Sequence, residues 1–161
     1  MARRKIPQRS IVGKVKVSRV TETLSLHASA VAVNGRAVLI LGQSGAGKSG
    51  LALRLIALGA TLVADDRVIL RRRGDALIAS APDRLAGMIE ARGVGLLRIA
   101  CVPEAVVALA VDLDFAPAAR MPHMRTLRHL EVGVELIFGR DLPNLDPTLM
   151  FLLQNGRRVP E

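Results

Sequence analysis

Short runs of Val, Leu, Ile and Ala, each broken by glycine, asparagine or a charged cluster, predict several strands with a helix among them. In "HASAVAVNGRAVLIL" the apolar positions flank Asn34-Gly35, a pair that accepts the two positive φ values of a tight hairpin turn. If Val33 and Arg36 close that turn, His27 falls opposite Gly42, where the second strand, Ala37 to Leu41, ends. The period then changes. "SGLALRLIAL" places apolar residues at helical spacing and runs into Gly59, a residue suited to a helix C-terminus. "ATLVA" is strand-like again and, following a helix, is expected to return parallel to the second strand of the hairpin. "RVILRRRGDALIASAP" predicts two short strands about Gly74-Asp75, with Arg71 to Arg73 as a solvated tip. In "RLAGMIEARGVGLLRIA" Glu90 and Arg92 precede Gly93 and Gly95 in a predicted loop that leads into a strand, "LLRIACV". "EVGVELIFG" predicts one more strand or the start of a helix, and the remaining tail carries no motif.

Composition narrows the class. Half of the 161 residues are apolar, enough for an ordinary buried core, so one domain over residues 23–161 is expected behind a basic extension at 1–22. Three Phe and no Trp or Tyr leave no platform for stacking bases. The net charge of +9 is concentrated in residues 1–20, which hold Arg3, Arg4, Lys5, Arg9, Lys14, Lys16 and Arg19 and no acid; the rest is close to neutral. That head can be read as an arm for nucleic acid or acidic membrane, as a solvated tail, or as the product of an upstream start codon. No run approaches the roughly 18 apolar residues of a membrane span, and the head lacks the apolar stretch of a secretion signal. A cytoplasmic location is expected. Cys101, the single cysteine, is expected to be a small core residue.

Between the hairpin and the helix stands "GQSGAGKS": Gly42, Gln43, Ser44, Gly45, Ala46, Gly47, Lys48 and Ser49. This is a full phosphate-loop pattern in the strand-loop-helix setting that it requires. Its glycines let backbone N–H groups turn toward phosphate oxygens and the helix N-terminus adds partial positive charge. Lys48 can reach the terminal phosphates, and the Ser49 hydroxyl can hold Mg²⁺. "LVADD" then ends an apolar run in two adjacent carboxylates, Asp65 and Asp66, at the carboxyl end of a strand beside that loop. Successive strand residues point to opposite sides, so one carboxylate is expected to lean toward a metal and the other toward an incoming hydroxyl. One of them can equally be a solvated or helix-capping Asp.

Together, "LHASAVAV", "GQSGAGKS", "LVADD" and "EARGVGLLRI" resemble, in order and spacing, the catalytic domain of bacterial HPr kinase/phosphorylase, over roughly residues 25–120. The resemblance implies an α/β fold with a P-loop kinase core of the PEP carboxykinase-like type, a mixed sheet whose N-terminal β-hairpin leads into the phosphate loop. It implies ATP and Mg²⁺ as cofactors and transfer of phosphate to a serine of the phosphocarrier HPr, with phosphorolysis of the phosphoserine as a reverse activity. By the same resemblance His27, Lys48, Asp65, Asp66 and Arg120 are catalytic. Asp66 is the favoured proton acceptor, though the sequence alone does not separate it from Asp65. Gly42 to Ser49, Glu90, Arg92 and Gly93 hold the nucleotide, and Ser49, Glu90 and Asp65 hold the metal. A ring-like homo-oligomer, up to a hexamer, is implied as well.

The chain departs from the family pattern at Gly50, where Glu is common, and no arginine- and proline-rich loop is recognisable in Arg120 to Glu161. It has room for no more than a stub of the family's N-terminal domain and so looks like the truncated proteobacterial type. Kinase activity is therefore the safer expectation than phosphorolysis. His123 and His129 stand at no metal-like spacing and are expected at the surface. Two other readings stay open: a nucleotide-dependent switch without phosphotransfer, and a basic protein associated with nucleic acid, although nucleic acid and membrane are not the expected partners.

Overall fold

The structure, a computed structural model, describes residues 22–159; the basic head expected at 1–20 lies outside them. Two strands, β2 (Ser29–Val33) and β3 (Arg36–Leu41), pair antiparallel with Val33 opposite Arg36 and Ser29 opposite Ile40. Asn34 (φ 51) and Gly35 (φ 77) supply the left-handed conformations of the turn. Ala37, Val38, Leu39 and Ile40 are all fully buried, which is why this strand reads as an unbroken apolar run: both of its faces are covered. Ala37 and Leu39 face one apolar cluster, whereas Val38 and Ile40 face another.

The chain leaves β3 through residues 42–47 into helix α1 (Lys48–Ala57), which buries Leu51, Ala52 and Leu55 against the Val38 and Ile40 side of the sheet. It stops before Gly59 (φ 112). Next, β4 (Thr61–Ala64) pairs antiparallel with β2. It therefore runs in the same direction as β3, but with β2 between them rather than beside it.

The rest of the sheet is reached by antiparallel steps. Near the chain start lies β1 (Thr23–Leu26), which pairs with β5 (Val68–Arg73), and β5 pairs with β6 (Ala76–Ser80). The central strand is β9 (Ala105–Asp112). It lies parallel to β3 along its length and antiparallel to β6 at its beginning. At its end it lies parallel to β11 (Val132–Phe138), which in turn pairs with β10 (Arg125–His129). The sheet thus forks at β9. A separate two-stranded ribbon, β7 (Met88–Ala91) with β8 (Gly95–Arg98), lies next to α1, and helix α2 (Leu145–Leu153) packs beside it on the same face. On the other face the core is lined with small residues, Ala28, Ala30, Ala32, Ala37, Ala64, Ala79 and Ala110, all nearly or fully buried. Short side chains there let the strands curl toward one another without a void.

Three sequence expectations need correction. His27 is not opposite Gly42 in a strand ladder, because the β2–β3 pairing ends at Ser29 and Ile40. The strand expected through "LLRIACV" stops at Arg98. Beyond it only a single bridge joins Cys101 to Leu62, so Cys101 sits on the sheet edge and is exposed rather than buried. The arginine run is not a free tip. Arg71 and Arg73 both engage Glu104, Arg73 at 2.9 and 3.2 Å, and Arg72 reaches Glu131 at 3.0 Å. Hydrogen bonding to Arg73 is the main reason that the Glu104 carboxyl lies below its ordinary range.

Candidate active site

The two adjacent aspartates part company at the end of β4. Arg67 N–H donates to the Asp65 carbonyl at 2.8 Å, and Asp66 between them has φ 66. This is the positive-φ form of a three-residue γ-turn, the rarer and more strained hand. It turns the chain so that Asp65 points inward, 4% exposed, whereas the Asp66 side chain is 65% exposed.

Asp65 is a hydrogen-bond hub. Its Oδ1 accepts from Ser29 Oγ at 2.6 Å and from Ser49 Oγ at 2.8 Å, and its Oδ2 accepts from the Glu90 backbone N–H at 3.0 Å. One carboxylate thereby ties the hairpin, the first turn of α1 and the β7–β8 ribbon together. Asp66 is steadied from another side. His27 Nδ1 lies 2.9 Å from the Asp66 carbonyl and 3.3 Å from its Oδ1. A carbonyl only accepts, so Nδ1 carries the proton in that bond and Nε2 is left uncommitted.

The loop itself is shaped by two glycines. A Cβ on Gly42 would stand 2.8 Å from that of Ala46, and Gly47, with φ 98, occupies the N-cap of α1 with no side-chain cap. The first backbone N–H groups of α1 are thus unclaimed by any capping side chain and free for an anion. Lys48, 7% exposed, folds back so that Nζ donates to the carbonyls of Gly42 at 2.8 Å and Gln43 at 2.9 Å.

A cavity of about 270 Å³ gathers His27, Ser44, Gly45, Gly47, Lys48, Ser49, Asp66, Glu90 and Arg92 at its walls. Asp65 lies just beneath, through Ser49. Gly42 and Gln43 contribute carbonyls to Lys48, and Ala46 faces a neighbouring cavity. Gly93 (φ 82) is in the turn between β7 and β8. Arg120 sits in the exposed segment between β9 and β10 and lines neither cavity.

Two residues that frame the site carried no reading in the sequence. Ser29 is fully buried and holds Asp65. Asp114, just past β9, accepts the Gln43 backbone N–H on both carboxylate oxygens at 3.0 Å, and so clamps the start of the phosphate loop. "AVVALAVDLD" was the available signal: a long apolar run ending in acids, like "LVADD", beside the same loop.

Among the described residues no group of three or more His, Cys, Asp or Glu could hold a metal ion. Mg²⁺ asks for less than such a cage, since it keeps several waters and takes one or two protein oxygens beside phosphate. The Ser49 hydroxyl and the Glu90 carboxylate, on the wall of one cavity, fit that hard-oxygen chemistry. Asp65 has both oxygens engaged in hydrogen bonds and fits a supporting place behind Ser49 better than a direct one.

Comparisons with known proteins place the chain in a family. The HPr serine kinase C-terminal domain matches residues 18–104. HPr kinase/phosphorylase of Geobacillus thermodenitrificans is 39% identical over 105 residues, 60% of this chain and 34% of that protein. That of Caldanaerobacter subterraneus subsp. tengcongensis is 47% identical over 77 residues, 47% of this chain and 25% of that protein. The matched segments thus span about a third or less of these relatives. The solved HPr(Ser) kinase/phosphatase from Coxiella burnetii superposes with a TM-score of 0.69 at 29% identity, covering 82% of this chain and 95% of that one. With more than half of its length matched and a curled mixed sheet in common with that structure, the chain belongs to the family of the HPr serine kinase C-terminal domain.

Proposed function

We propose that this chain is an ATP-dependent protein serine kinase whose acceptor is the phosphocarrier HPr. The observation that carries the reading is convergence: the loop N–H groups, Lys48, Asp66 and His27 all reach one cavity. An anion-binding helix terminus alone would fit a nucleotide switch. An exposed carboxylate held at the same cavity by a strained turn fits proton removal from an incoming hydroxyl.

In the forward direction the serine oxygen attacks the γ-phosphorus and the bond to the β-phosphate oxygen breaks. The hydroxyl proton passes to the Asp66 carboxylate. The backbone N–H groups of α1 and the Lys48 ammonium, released from its two loop carbonyls, hold the phosphate oxygens. Ser49 and Glu90 would hold Mg²⁺, which would supply positive charge to those oxygens when bound. In phosphorolysis inorganic phosphate attacks the phosphoserine phosphorus, the bond to the serine oxygen breaks, pyrophosphate forms, and a protonated Asp66 gives its proton to that serine oxygen. The reaction belongs in the cytoplasm, and the resemblance implies a ring of identical chains.

Incubation with Mg-ATP and HPr, followed by mass mapping of the phosphorylated residue, tests the reading directly. A single phosphoserine on HPr is expected; ATP binding with an unmodified acceptor would favour a switch instead. Asp114 offers a second test. Asp114→Ala frees the Gln43 N–H and the entrance of the loop. It is expected to weaken ATP binding by about threefold to tenfold, the effect of losing about 0.7–1.4 kcal/mol, the net worth of one exposed hydrogen bond, as read by calorimetry.

A further inference from the structure

A second cavity, of about 430 Å³, meets the first at Gly47, which lines both. It is enclosed by Ala46 and Gly47 of the loop, by Leu113 after β9, and by the segment Gly139 to Pro147 that joins β11 to α2. That segment lies beyond the residues matched by the family description.

Most polar side chains around it are already engaged. Arg54 Nε binds Asp146 Oδ2 at 2.7 Å, bracing α1 against α2, and Arg140 Nη1 donates to the Asp114 carbonyl at 2.6 Å. Two are not. Among the described residues, the Asp141 carboxylate and the Asn144 amide have no side-chain hydrogen bond, and both residues are exposed and held at positive φ, 58 and 59. Leu113 and Leu142 add apolar wall. A cleft of mixed character, with apolar wall beside a few free polar groups, can seat a small molecule that has both kinds of surface.

Resting on the kinase reading above, we propose that this second cavity seats the nucleoside of the phosphate donor, with Asp141 and Asn144 as its recognition residues. A nucleotide whose phosphates lie in the loop must send its sugar and base to one side or the other. The first cavity is the smaller. It holds Asp66, His27 and Glu90, and it must also admit the acceptor serine, so a nucleoside there would block the reaction. The second cavity borders the same loop and leaves that path open. A carboxylate suits the hydroxyl donors of a ribose, and a primary amide suits the mixed donor and acceptor edge of a base.

Calorimetry on the full chain with two ligands, Mg-ATP and magnesium inorganic triphosphate, isolates the nucleoside, because both carry three phosphates. Asp141→Asn and Asn144→Gly keep residues that tolerate positive φ, so the fold should be retained; a thermal melt of the double variant checks it. The double variant is expected to bind ATP about tenfold more weakly, with triphosphate affinity within about twofold of the unsubstituted chain. Equal losses for both ligands, or none for either, would overturn the inference while leaving the kinase reading standing. Failure of the unsubstituted chain to bind either ligand would overturn both.

Discussion

Asp66→Asn is expected to lower phosphoryl transfer to HPr by about 10²- to 10⁴-fold, the range for a lost general base, while ATP affinity stays within about threefold. The substitution is nearly isosteric, and Asn tolerates the left-handed φ of 66 that Asp66 adopts. The His27 bond runs to the backbone carbonyl and survives it. What disappears is the oxygen able to take a proton. Strain at this turn, on the order of 1 kcal/mol for a non-glycine residue at positive φ, is retained in the variant, so any loss of activity is not a loss of conformation. Rates followed by mass spectrometry and affinities by calorimetry separate the two quantities. Transfer within tenfold of the unsubstituted protein would remove Asp66 from the chemistry.

Asp65→Ala should act on stability instead. It strips the partner from Ser29 Oγ, Ser49 Oγ and the Glu90 N–H in a single step, and Ser29 is fully buried. Orphaning buried donors costs about 1–3 kcal/mol each, so a loss of about 3–5 kcal/mol is expected, a large part of the 5–15 kcal/mol typical of a domain. The melting temperature should fall by about 10 °C or more. Asp65→Asn should cost less, because its amide oxygen still accepts both hydroxyls and only the Glu90 N–H faces a second donor. A melting temperature of Asp65→Ala within 2 °C or so of the unsubstituted chain would mean that the hub holds nothing together.

The legible parts of this molecule were those whose pattern is local. The turn at Asn34-Gly35, the phosphate loop and the helix behind it are all specified within about 30 consecutive residues, and the sequence also brings Lys48, Ser49 and Asp65 close together. What stayed hidden depends on distant partners. β9 is the central strand, yet "AVVALAVD" drew no reading, because nothing local says which strands will flank it. The β7–β8 ribbon looked like a loop, since its short strands are partly exposed and carry little alternation. That the two carboxylates point apart was expected from strand alternation, without saying which turns inward, but the parting arises from the γ-turn after the strand has ended. Helix α2 followed a stretch with no usable signal, and its Leu149 and Leu153 are fully buried against the same face as α1.

The fork at β9 has a consequence for biosynthesis. β3, which launches the phosphate loop, finds its parallel neighbour only in residues 106–112, and the clamp on Gln43 comes from Asp114. A nascent chain emerging from the ribosome has therefore made its nucleotide-binding motif long before it can hold that motif in shape. Until β9 arrives, the hairpin offers an open strand edge to any passing chain, so this protein should lean on chaperones during translation more heavily than a fold with sequential pairing would.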